Sequence, residues 1–218
     1  MKLIFLVSGN GGNLKFVKNC IDNGFIQECN LIVIADRDCG ALNYSKKSGI
    51  ENYLISYTRK NNEELTELLN LLNADLIITN IHKILDEEIV KFYGRKMINL
   101  HYSLLPSYSG LIGEEPIEEA MKYSKFIGTT LHYVEQKVDA GEVIIQGVIK
   151  NIGHKAEIIN KIFRMGCFSL LYYIYLRHSE VKPLYLEAAL EQTNYLFSPE
   201  LNFNINMFKE RFWNRLKS

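Results

Sequence analysis

Apolar positions along the chain follow two spacings. Short runs that are almost continuously apolar, at residues 3–7, 31–35, 76–79 and 97–100, alternate with stretches whose apolar residues recur every three or four positions. The runs predict buried strands. The intervening stretches at 13–23, 41–48 and 63–73 predict helices, the last through the stripe Leu65, Leu68, Leu69 and Leu72. Residues 53–55 predict a further short strand. Strands apolar on both faces and separated by helices predict a mostly parallel sheet with helices on either side. The expected fold class is therefore α/β, doubly wound. Beyond Pro116 the pattern changes: a helix is predicted at 117–122, strands at 128–134 and 143–149 joined by a polar turn at 138–141, and a long apolar helix at 156–176. From residue 182 onward Tyr185, Tyr195, Phe197, Phe203, Phe208, Phe212 and Trp213 stand in a polar background, with a helix expected at 207–216. This divides the chain into a main domain at 1–181 and a short aromatic C-terminal appendage at 182–218. The appendage suits a homodimer contact, stacking on a nucleotide base, or packing of a terminal helix.

Composition narrows the classes. With 218 residues the chain is long enough for one domain of ordinary size and short for two. Lys+Arg and Asp+Glu both number 25, so the net charge is zero and there is no basic excess of the kind nucleic-acid proteins carry. No nucleic-acid partner is expected. Cys20, Cys29, Cys39 and Cys167 form no C-x-x-C pair and no zinc spacing, which predicts reduced thiols, a reducing compartment and no metal. The apolar run at residues 3–7 is too short for a signal segment, and no apolar stretch reaches the ~20 residues that span a bilayer. The expectation is a cytoplasmic protein without a membrane partner.

Candidate chemistry lies where the strand at 97–100 ends, in Asn99-Leu100-His101-Tyr102-Ser103-Leu104-Leu105-Pro106-Ser107-Tyr108-Ser109-Gly110. Ligands of open α/β sheets bind at the carboxyl ends of strands. Residues two apart in an extended chain point the same way, so Asn99 and His101 project together. A carboxylate, Asp139, sits in the turn Val138-Asp139-Ala140-Gly141. An amide able to hold an oxyanion, an imidazole able to exchange protons and a carboxylate able to fix the imidazole's protonation suit acyl transfer. The residues alone also allow a plainer reading, with His101 a hydrogen-bonded loop residue and Asp139 a turn former.

Taken together, Asn99, His101, Ser103, Leu105, Pro106, Gly110, Asp139, Gly141 and Gln146 match the pattern N-x-H-x-S-x-L-P, a following glycine, then D-x-G and a glutamine. The chain thereby resembles the catalytic domain of the folate-dependent formyltransferases over residues 1–176. That group includes enzymes acting on glycinamide ribonucleotide, methionyl-tRNA and amino sugars. The resemblance implies a Rossmann-like domain and N10-formyltetrahydrofolate as co-substrate, with no metal. It implies that Asn99 and His101 stabilise the oxygen of a tetrahedral intermediate while Asp139 interacts with His101 and assists proton transfer. It also implies a pterin site on backbone groups of two loops, here including His82, Lys83, Ile84 and Leu85, and Val134 and Val138. On its own, His82 reads equally as a solvent-facing loop histidine.

The loop Ser8-Gly9-Asn10-Gly11-Gly12-Asn13-Leu14 joins the first strand to the first helix. Glycines let a backbone approach an anion, and a helix N-terminus presents free N–H groups, so Gly9, Asn10, Gly11, Gly12 and Asn13 read as a phosphate cradle. A glycine turn with structural duty only is the alternative. Leu14 stands where a dinucleotide fingerprint needs its third glycine, and the G-K-[ST] ending of a Walker loop is absent. The loop is similar to S-G-x-G-[ST]-N of the glycinamide ribonucleotide enzymes, which implies a small phosphorylated amine as acceptor. Tyr102, where most relatives have proline, and Gly166, where the purine enzymes have a ribose-contacting glutamate, depart from that pattern. So does the segment at 110–116, which lacks their histidines. Tyr102 and Gly110 are retained as acceptor-side residues, and a nucleotide-linked amino sugar is the alternative acceptor. Two other classes stay open: a dinucleotide oxidoreductase that would hold a ribose on Asp36, and a non-catalytic folate- or nucleotide-binding relative.

Overall fold

Strand β1 (Lys2–Val7) lies at the centre of a parallel sheet because its side chains find apolar cover on both faces, with Leu3 to Leu6 all inaccessible. It pairs with β2 (Asn30–Ala35) on one side and β4 (Leu76–Asn80) on the other. Beyond these lie β3 (Glu51–Leu54) next to β2 and β5 (Met97–His101) next to β4, giving the order β3-β2-β1-β4-β5 with every pair parallel. This is the doubly wound, mostly parallel arrangement expected from the spacing of apolar residues. The computed structural model describes residues 1–178 and 195–217, which fall into two units. The first comprises residues 1–99 and 133–141, and the second residues 100–132 and those from 142 onward.

In the first unit, helices α1 (Gly12–Asp22), α2 (Gly40–Lys47), α3 (Glu63–Leu72) and α4 (Glu87–Tyr93) accompany the strands. The stripe on α3 works as its spacing demands: Leu65, Leu69 and Leu72 are buried with Ile4, Ile32, Ile77 and Met97, and Leu68 packs partly buried against the same cluster. Each such leucine contributes roughly 1.5–3 kcal/mol on leaving water. Val7 pairs with both Ala35 and Asn80, so β1, β2 and β4 end at one level and the loops after them emerge together. Helix α4 escapes a periodicity argument because its seven residues span barely two turns. It starts where the Asp86 side chain accepts the Glu88 N–H at 2.9 Å.

The second unit is built on antiparallel strands: β6 (Phe126–Tyr133) pairs with β7 (Val143–Lys150), and β7 with β8 (Leu196–Ser198). Helices α5 (Glu115–Tyr123) and α6 (Lys155–Arg177) belong to the same unit. Ile117, Ile127, Ile149, Ile158 and Ile162 form its core. The aromatic residues near the C-terminus close round Phe168 of α6. Trp213, Phe208 and Tyr195 place their rings 5.5, 5.6 and 6.0 Å from it. Arg164 of α6 forms two hydrogen bonds with the Glu210 carboxylate, at 2.6 and 2.9 Å, while lying over the Trp213 ring. Trp213 keeps only 4% of its surface exposed, so these rings serve core packing rather than an external stack. Helix α7 (Glu210–Asn214) is shorter than the 207–216 expected, being flanked by 3-10 turns at Ile205–Met207 and Arg215–Lys217. Tyr185 and the start of the 182–218 segment lie outside the described residues. Among the described residues, no helix is long and apolar enough to cross a membrane. None of the four cysteines is in a disulfide, and burial pushes the thiols of Cys20 and Cys29 up, the latter to about 11.

Candidate active site

In the first unit, the end of β5 delivers Asn99. Thr79 of β4, buried beside it, donates its hydroxyl to the Ile98 carbonyl at 3.0 Å and lies 3.5 Å from Asn99 Oδ1. The Asn99 Nδ2 faces Asp139 Oδ1 at 3.5 Å. The separation is at the long end for a hydrogen bond, and an amide N–H is a donor of the kind that stabilises a developing oxyanion. Asp139 has φ +54°, a left-handed conformation that aspartate tolerates better than most residues and that recurs at functional sites. Amide and carboxylate thus come together although forty residues separate them.

In the second unit, the same strand continues into His101, whose side chain is nearly inaccessible, the residue keeping 6% of its surface. Its Nε2 lies 3.1 Å from the Tyr108 carbonyl. A carbonyl only accepts, so Nε2 carries the proton of this hydrogen bond. Tyr108 offers that carbonyl from a left-handed conformation, φ +60°, which is unusual for a bulky residue. The segment between them is held by neutral groups. The Thr130 hydroxyl donates to the Ser103 carbonyl at 2.7 Å and accepts from Leu105 N–H at 3.0 Å and from Gln146 Nε2 at 3.0 Å. One donor and two acceptor sites are all that a hydroxyl has, so Thr130 is saturated. Gln146 also reaches the Leu105 carbonyl at 3.2 Å, and Ser103 Oγ donates to the Ser107 carbonyl. Ser103 and Gln146, two residues of the sequence pattern, therefore shape the segment after His101. Thr130 does not stand out in the sequence, because a threonine in a strand carries no signal of its own.

The two positions that depart from the sequence pattern meet in this unit. A Cβ at Gly166 of α6 would lie 2.7 Å from Leu100 Cδ2 and 3.1 Å from Tyr102 Cε1. Tyr102 is half-buried against α6, and it fills the space a larger residue at 166 would need. Gly110 takes φ +84° at an exposed turn.

The glycine loop and the loop after β4 both belong to the first unit. Gly11 precedes α1 with φ +72°, and a Cβ there would sit 2.7 Å from the Ala41 Cβ of α2. Only glycine permits both the handedness and the approach. No acidic residue occupies the first turn of α1, so nothing there repels an anion. Gly9, Asn10 and Gly12 remain partly or fully exposed, whereas Asn13 is buried. His82 and Ile84 are exposed, Lys83 is half-buried and Leu85 is buried. Ile81 and Val134 pack on one core cluster, while Ile84 and Val138 keep 53% and 44% of their surface exposed. Exposed apolar side chains beside main-chain polar groups fit a flat heteroaromatic ring in type. Asp36 fits no ribose, because both its oxygens are engaged, by Ser8, Arg37 and Lys83. Burial alone would raise its pKa, yet the hydrogen bonds from Arg37 and Ser8 outweigh that and hold its carboxyl below the usual range.

The formyl transferase family profile matches residues 1–159. A phosphoribosylglycinamide formyltransferase of Haemophilus influenzae is 30% identical over 157 residues, which cover 68% of this chain and 72% of the relative. The chloroplastic phosphoribosylglycinamide formyltransferase of Arabidopsis thaliana is 25% identical over 167 residues, covering 70% of this chain. The match covers 56% of the plant protein, so the chain spans little more than half its length. The crystal structure of phosphoribosylglycinamide formyltransferase from Anaplasma phagocytophilum is similar with a TM-score of 0.65 at 28% identity, covering 77% of this chain and 81% of that one.

Proposed function

Because the chain belongs to the formyl transferase family, we propose that it transfers a formyl group from N10-formyltetrahydrofolate to the primary amine of a phosphorylated small molecule, glycinamide ribonucleotide of purine biosynthesis. The observation that carries this reading is the Asn99 amide facing the left-handed Asp139. The co-substrate supplies a formyl carbon already activated toward amines, so no acyl-enzyme is needed. Asn99 and His101 stabilise the oxyanion that forms when the amine bonds to that carbon. Asp139 assists removal of the amine proton, and the departing folate nitrogen takes up a proton as its bond to carbon breaks. Gly9, Asn10, Gly11, Gly12 and Asn13 take the acceptor phosphate at the start of α1. His82, Lys83, Ile84, Leu85, Val134 and Val138 receive the pterin. Free thiols in all four cysteines support a cytoplasmic setting.

A nucleotide-linked amino sugar is the second reading, favoured by Tyr102 packed into the space over Gly166. The two acceptors are separated by supplying purified protein with N10-formyltetrahydrofolate and either glycinamide ribonucleotide or a panel of amino-sugar nucleotides. Tetrahydrofolate release with the ribonucleotide alone supports the first, and release with a sugar nucleotide alone the second. Binding of folate without release on any amine would make the chain a non-catalytic relative.

A further inference from the structure

The loops after β1, β2 and β4 meet at a carboxylate with no solvent contact: the side chain of Asp36 is 0% exposed. Its Oδ1 accepts from Ser8 Oγ at 2.7 Å and Arg37 Nε at 3.1 Å, while Oδ2 accepts from the Arg37 guanidinium at 2.8 Å and lies 3.4 Å from Lys83 Nζ. Ser8 is used twice, because its oxygen also accepts the main-chain N–H of His82 at 2.9 Å. Buried Tyr57 holds the far end of the same loop. Its hydroxyl donates to the Ile84 carbonyl at 3.3 Å and accepts the Asp86 N–H at 2.8 Å, and its carbonyl accepts from Lys83 Nζ at 2.5 Å.

Residues 81–85 lie outside every helix and strand, and no proline among them restricts the backbone. The ties from Ser8, Asp36 and Tyr57 therefore set the path of the chain. A carboxylate out of contact with water is costly unless paired, and here each partner leads to a loop. Recognition through main-chain groups works best when those groups are set before the ligand arrives.

We propose that Asp36, acting through Ser8 and Lys83, is a positioning residue that fixes the 82–86 loop in the shape that receives the formyl donor. This rests on the reading of that loop as the donor site. Asp36 does not touch the reacting atoms, so its removal acts on donor affinity rather than on the acceptor.

The test uses the full-length protein, with Asp36→Asn and Ser8→Ala. In the ligand-free variants, amide exchange across residues 82–86 is expected to accelerate while the strands keep their protection. Calorimetric affinity for tetrahydrofolate should fall about tenfold, the loss of one charge-assisted hydrogen bond. The KM for the acceptor should change less than about twofold, and the double variant should lose less than the sum of the two singles, since both cut the bond between Asp36 and Ser8. A global loss of protection without the affinity split would make Asp36 merely structural and overturn the proposal. Unchanged exchange and unchanged tetrahydrofolate affinity in folded variants would overturn it too and leave the functional reading standing. No affinity in the wild type overturns both. Should Asp36→Asn fail to fold, the uncharged Ser8→Ala variant decides alone.

Discussion

The loops after β1 and β4 in the first unit and the segment after β5 in the second meet the same requirement with opposite chemistry. Each holds irregular backbone in one shape at a strand end. Around Ser8 and residues 82–86 the holding group is a buried charge, Asp36, balanced by Arg37 and Lys83. Around Ser103 to Tyr108 it is a neutral set, with a saturated Thr130 hydroxyl, the Gln146 amide and a left-handed Tyr108. A charged tie is strong in a dry site but answers to acid. A neutral one is insensitive to pH near neutrality, and it is costly to break, because a buried group left without its partner loses a hydrogen bond that water does not replace. Under the proposed function the charged tie serves the loop read as the donor site, and the neutral one holds the segment that carries His101.

The comparison is broken most severely at the chemistry itself. His101→Ala and Asp139→Ala should each lower turnover by roughly 10²–10⁴-fold with the far-ultraviolet spectrum unchanged, measured as tetrahydrofolate release. Thr130→Val strands the Leu105 N–H and takes from the Ser103 carbonyl its bond from the hydroxyl, while the Gln146 amide keeps only its bond to the Leu105 carbonyl. It should cost about 1–3 kcal/mol in denaturant melts and lower kcat, with donor affinity unchanged, the reverse of the Asp36→Asn pattern. Gly166→Ala forces Leu100 and Tyr102 to move and should cost about 1–3 kcal/mol as overpacking does. Combining it with Tyr102→Ala should return part of that loss in a double-mutant cycle.

The smallest effect separates the two ties by pH. The Asp36 carboxyl is held below its ordinary value, so the folded state binds fewer protons than the unfolded state in acid. The stability it contributes is complete above roughly pH 4, the unfolded aspartate range, and is lost as the pH falls through the depressed folded value. Wild type should therefore lose stability across that acid window. Asp36→Asn should show a shallower loss, and Thr130→Val the wild-type slope. An identical slope in all three would remove the charged tie as a stabilising element.

How much of this was legible follows from where information sits in a chain. The parallel strands and the α3 stripe declared themselves because burial on both faces or on one stripe leaves a periodic trace. Helix α4 and strand β8 left none, being seven and three residues long. Asn99, His101 and Asp139 were legible through spacing and resemblance, yet the Asn99–Asp139 approach depends on the left-handed turn at Asp139, which nothing in the residue types dictates. Tyr102 and Gly166 stood out separately as departures, and only packing shows that each accounts for the other. Asp36 could hold a ribose under the oxidoreductase alternative. Residue type and position allowed that, and only its partners, Ser8, Arg37 and Lys83, exclude it.

The most direct measurement is tetrahydrofolate release by wild type and Asp139→Asn, side by side, with N10-formyltetrahydrofolate and glycinamide ribonucleotide. Asn keeps the shape of the carboxylate beside Asn99 and removes its charge. Formyl transfer at Asn99, His101 and Asp139 predicts steady release by the wild type and a loss of at least about a hundredfold in the variant, with tetrahydrofolate affinity intact. Equal release by both proteins would contradict it.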